Sequence, residues 1–89
     1  MDGYRVSVRL KSRRVLQEYM RHRRLNTGYA LAKEAGLKQG VVGHLVKGRR
    51  DSCSLSTALS IEDALDVPRG TLFLVSEYRV PEYGAQRVA

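Results

Sequence analysis

Side chains capable of covalent or metal chemistry are few in this sequence and poorly spaced for it. Cys53 is the single cysteine, and the two histidines, His22 and His44, lie far from each other along the chain. One thiol and two separated imidazoles make no metal-ligand pattern. The carboxylates are scattered, and none pairs with a positioned base. Neither an enzyme nor a cofactor-binding protein is expected. What the sequence concentrates is positive charge: 16 Lys+Arg against 9 Asp+Glu, a net of +7. Residues 1–50 hold 13 basic and 3 acidic side chains (net +10), whereas residues 51–89 hold 3 and 6 (net −3). Such asymmetry suits the non-covalent chemistry of binding a polyanion through the first half. The basic segments lack broad apolar faces rich in Trp or Phe, which favours nucleic acid over an anionic membrane.

The elements that must position these charges follow from periodicity and punctuation. At 89 residues and 43% hydrophobic content the chain is expected to form one domain, 1–89. Tyr4–Leu10 alternates, with Tyr4, Val6, Val8 and Leu10 on one strand face. Ser12 is placed to cap a first helix running to about Arg24, with Val15, Leu16, Tyr19 and Met20 as its buried stripe. Thr27 is placed to cap a second helix, about 28–35, buried through Leu31, Ala32 and Ala35 and stopped by Gly36. A third helix is expected over about 39–47, with Val42, Leu45 and Val46 inward and Gly48 at its end. Ser54 or Ser56 caps a fourth, reaching Leu65 and buried through Ala58, Ile61 and Leu65. Pro68 suits the first turn of a short fifth helix, Arg69–Leu74, whose Leu72 and Phe73 close the core. Ser76–Val80 reads as a second strand, pairing with Tyr4–Leu10 or with a second copy of the chain, and residues 84–89 as a disordered tail.

Two short helices joined by a tight glycine turn have the sequence form of a helix-turn-helix. The small residues Ala30, Ala32 and Ala35 let a second helix pack close across the first. The outer side of that second helix, made of Lys38, Gln39, Gly40, Gly43, His44 and Lys47, is left free for a DNA major groove. The run from Ala30 to Leu45, ALAKEAGLKQGVVGHL, resembles the signature of the Cro/lambda-repressor-like (Xre-type) helix-turn-helix family. Lys47-Gly48-Arg49-Arg50 is similar to that family's loop after the recognition helix. Ser54–Val67 and Thr71-Leu72-Phe73 are similar to its fourth and fifth helices, so the resemblance covers residues 12–74. Asp66 departs from the family's usual Gly but tolerates the left-handed conformation. Gly40 and Gly43 depart by weakening the recognition helix by roughly 1 kcal/mol each, which close backbone approach to DNA would explain.

The resemblance implies a mainly α, five-helix lambda-repressor-like domain. It also implies a sequence-specific, double-stranded DNA-binding transcriptional regulator, a repressor of the phage or mobile-element type. Carried over position by position, Lys38, Gln39, Gly40, Gly43, His44 and Lys47 contact bases. Gln suits adenine N6/N7, and Lys suits guanine O6/N7. Thr27, Arg49 and Arg50 match phosphate-contacting positions, and Arg21, Arg23 and Arg24 extend them. A homodimer, at least on DNA, is implied as well, although no heptad marks an interface. The competing reading is a protein-interaction module of the same fold, an antitoxin or a phage protein that occupies a host factor; a nonspecific nucleoid-type binder is a third. A lone cysteine and the lack of an apolar leader or membrane-spanning run point to the cytoplasm.

Overall fold

The computed structural model describes the backbone of residues 3–80 and the side chains of residues 6–77. The elements run β1 (Gly3–Leu10), α1 (Arg13–His22), α2 (Gly28–Ala35), α3 (Gln39–Val46), α4 (Leu55–Ala64) and β2 (Phe73–Val80). The tail expected at 84–89 lies outside the described residues. Among those described, no helix is long and apolar enough to cross a membrane.

Local chemistry sets most of these boundaries. Ser12, Thr27 and Ser54 are the N-caps of α1, α2 and α4. Their hydroxyls accept from Val15 N (3.2 Å), Ala30 N (3.0 Å) and Thr57 N (3.2 Å). Each bond satisfies one of the amides that a helix start leaves free. Gly36 ends α2 at φ +71, and Asp66 takes the left-handed conformation beyond α4 at φ +58. Arg24 also lies there, at φ +60, so α1 stops at His22 and not at Arg24 as expected. A left-handed non-glycine costs roughly 1–2 kcal/mol. Two contacts offset that cost: Leu25 N donates to Met20 O at 2.8 Å, and Leu25 packs against the core.

The core joins Leu16 and Met20 of α1, Leu31 and Ala32 of α2, Val42 and Leu45 of α3, and Ala58, Ile61 and Ala64 of α4. Leu65, Leu72, Phe73 and Val8 complete it. Val15 corrects the expected stripe, because it is 36% exposed. Leu16 and Met20 lie one turn apart and face the core directly, while Val15 sits about 100° away at the stripe's edge.

The expected fifth helix does not form. Thr71 N reaches back to Pro68 O (3.1 Å) in a single turn, Gly70 takes φ +88, and the chain enters β2 at Phe73. The reason is a distant acceptor. The Glu62 side chain, 2% exposed on α4, accepts from Gly70 N (3.1 Å), Leu72 N (2.9 Å) and Phe73 N (3.3 Å). Those amides are engaged by a carboxylate and turned away from helical partners. Along the strand that follows, Phe73 is buried and Leu74 to Glu77 are exposed.

The two alternating segments do pair with each other. β1 and β2 are antiparallel, in register from Gly3↔Val80 to Leu10↔Phe73. β2 starts earlier than the expected Ser76. Residues 51–53 lie along the other edge of β1, through Leu10 N→Asp51 O (2.6 Å) and Cys53 N→Val8 O (3.2 Å). An exposed Arg9–Asp51 ion pair (3.0 Å) flanks this contact. The loop after α3 is thereby fastened to the sheet.

Candidate nucleic-acid interface

α3 is the element on which the candidate residues converge. Its inner side buries Val42 and Leu45, so its outer side carries Gln39, Gly40, Gly43 and His44, with Lys38 and Lys47 as its caps. Lys38, Gln39, Gly40, His44 and Lys47 are exposed, and Gly43 is half-buried. Gly43 is covered because α2 begins against it: a Cβ on Gly28 would stand 3.3 Å from Gly43 Cα. A Cβ on Gly40 or Gly43 itself would meet nothing within 4 Å. Packing within the chain therefore gives no reason for glycine at either position, although each weakens the helix.

Two open hollows flank the crest of α3. One, of about 560 Å³, brings Thr27 at the start of α2 together with Gln39, Lys47 and Arg49. The other, of about 550 Å³, joins Lys38 and Arg50 to Ser52, Cys53 and Thr57. Gly40 and His44 line both hollows and so form the dividing crest. No carboxylate lines either one. Helix starts direct amide donors and positive dipole outward, and α2 does so at the edge of the first hollow.

The predicted phosphate residues divide into two groups. Thr27, Arg49 and Arg50 adjoin α3. Arg21 lies near its C-terminal end, in a smaller hollow with Gln17 and Val46. Arg23 and Arg24 are exposed in the turn that ends α1, and no described hollow brings them against α3.

Sequence reasoning missed Tyr29, an exposed side chain in the first hollow. An aromatic beside a cap reads equally as core, so its sequence carried no distinguishing signal. It also missed how α3 ends. Arg49 N and Arg50 N both donate to His44 O, at 2.9 and 3.2 Å, and Gly48 N donates to Leu45 O at 3.3 Å. Arg13 Nη1 donates to Lys47 O and Gln17 Nε2 to Val46 O, each at 3.0 Å.

Cys53, in the second hollow, offers no nucleophile at neutral pH. Burial first, and the Glu62 carboxylate second, push its thiol above the ordinary value and so disfavour the thiolate. Comparison with protein-family models, curated proteins and solved structures finds no match for this chain.

Proposed function

We propose that this protein is a sequence-specific, double-stranded DNA-binding transcriptional regulator that lays α3 in the major groove, as its resemblance to the Cro/lambda-repressor-like family implies. One observation carries this reading. The exposed crest of α3 stands between two hollows whose charged lining is entirely basic. A major groove about 12 Å wide admits a helix, and eight residues of helix extend about 12 Å along it. Phosphate strands on either side of the groove would then lie over the two hollows. Arg49 lines the hollow on one side, and Arg50 the hollow on the other.

Within that pose the roles follow from chemistry. Gln39, at the start of α3, offers both a donor and an acceptor for adenine, while Lys38 and Lys47 offer donors for guanine. His44 stands on the crest one turn after Gly40, and Gly40 and Gly43 let the backbone come close. Thr27, with the first-turn amides of α2, takes a phosphate, as do Arg49, Arg50 and Arg21; Arg23 and Arg24 extend the positive surface outward. A bacterial cytoplasm, a repressor role of the phage type and a dimer on a palindromic site belong to the same proposal.

Selection of bound duplexes from a random-sequence pool, with the purified protein, tests it. Recovery of a short consensus, palindromic if the protein dimerises on DNA, is expected. Recovery of no duplex by the folded protein would overturn the proposal in favour of a protein partner. Enrichment without a consensus would leave only nonspecific binding.

A further inference from the structure

We propose that Arg13 and Gln17 of α1 are positioning residues for recognition, holding the C-terminal end of α3 in the pose from which His44 and Lys47 meet the bases. The inference rests on the DNA-binding reading above and assigns to α1 a part in it.

An α-helix leaves its last carbonyls without intrahelical partners. In α3 and its cap, each of the last five finds one. Gly43 O accepts from Lys47 N, Leu45 O from Gly48 N, and His44 O from both Arg49 N and Arg50 N. The remaining two have no backbone donor and are taken by side chains one turn apart on α1: Val46 O by Gln17 and Lys47 O by Arg13. The last turn of α3 is thus fastened to α1, just where the chain leaves for the basic loop. Gly48 makes the fit possible. It stands at φ +80, and a Cβ there would overlap the Arg13 guanidinium.

Arg13 is exposed and Gln17 half-buried, so neither bond is deeply desolvated, and such bonds add little to global stability. Their consequence is local. Base contacts require donors held to within about 0.5 Å, and that precision comes from neighbours that lock the contacting element. Phosphate attraction tolerates far looser placement. Release of the clamp should therefore harm sequence discrimination more than general affinity.

The experiment measures binding of the full chain to its selected duplex and to a scrambled duplex over a range of salt. The variants are Arg13→Met, Arg13→Lys, Gln17→Met and Gly48→Ala. Gly48→Ala keeps the Arg13 charge while displacing its guanidinium. Gly70→Ala, at φ +88 with open space around the added Cβ, is the control for left-handed strain. All are assayed at a temperature where circular dichroism shows them folded.

Arg13→Met, Gln17→Met and Gly48→Ala are expected to lower the selected-to-scrambled affinity ratio about 5- to 20-fold. The salt slope should hold in Gln17→Met and Gly48→Ala, Arg13→Lys should recover part of the ratio, and Gly70→Ala should leave it unchanged. Equal losses on both duplexes, with a slope reduced by about one in Arg13→Met and unchanged in Gly48→Ala, would make Arg13 a phosphate contact and overturn the inference. An unchanged ratio in all variants would overturn it too. Failure of the wild-type chain to bind any duplex would instead refute the DNA-binding reading on which it rests.

Discussion

Gly40 and Gly43 allow a test in which stability and function should move in opposite directions. Both lie on the outer side of α3, and a Cβ added to either meets nothing within 4 Å. Alanine is favoured over glycine in a helix interior by roughly 0.8–1.0 kcal/mol. With no clash to subtract, Gly43→Ala should stabilise the fold by about 1 kcal/mol, Gly40→Ala, in the first turn of α3, by less, and the pair by about 1–2 kcal/mol. For a domain of this size about 1 kcal/mol corresponds to roughly 4–8 °C in Tm. Bound DNA changes the sign. The new methyl groups would occupy the surface that base edges and sugars must approach, and overfilling a well-packed contact costs roughly 1–3 kcal/mol. Thermal melting followed by circular dichroism and fluorescence anisotropy with the selected duplex give the two readouts. A double variant that melts higher and binds at least about tenfold more weakly is expected. Wild-type affinity in a stabilised double variant would show that this side of α3 does not face DNA. No gain in Tm would refute the described geometry of the helix itself.

Removal of the Glu62 side chain strips the acceptor from the amides of Leu72 and Phe73, both buried, and of Gly70. At roughly 1–3 kcal/mol for each buried donor, Glu62→Ala should lose about 2–6 kcal/mol in urea unfolding, and Glu62→Gln, which keeps one oxygen, less. A midpoint unchanged by Glu62→Ala would remove this account of why the chain after Pro68 becomes a strand. Leu45, 1% exposed, should cost about 2–5 kcal/mol as Leu45→Ala. An unaltered melting temperature would contradict its place in the core. Arg49→Ala and Arg50→Ala should each weaken selected and scrambled duplexes by a similar factor and reduce the salt slope by about one per lost contact. A loss confined to the selected duplex would reassign that arginine to base reading.

Where the determinant is local, the sequence is a good guide to the fold. Ser12, Thr27, Ser54 and Gly36 mark helix ends by their own chemistry, and α2 occupies the residues expected of it. α3 differs only in that Lys47 caps the helix and does not extend it. Elsewhere a distant partner decides. Pro68 to Leu74 has the look of a helix start, but the oxygens that capture its amides belong to Glu62 on another element. Arg24 adopts a glycine-like conformation because Leu25 must return to the core. For the candidate interface, periodicity places Gly40, His44 and Lys47 on one side of a helix, and three-dimensional packing adds Tyr29 and the second hollow beside α4. The bonds from Arg13 and Gln17 leave no trace in the sequence, because a carbonyl at a helix end carries no side-chain signature.

The central claim, that α3 reads base sequence, is tested most directly by Gln39→Ala, assayed on the selected and a scrambled duplex at several salt concentrations. Gln39 is exposed at the first turn of α3 and carries no charge. The account predicts a loss of roughly 1–3 kcal/mol on the selected duplex, little change on the scrambled one, and the wild-type salt slope on both. Equal losses on the two duplexes, or none on either, would contradict it.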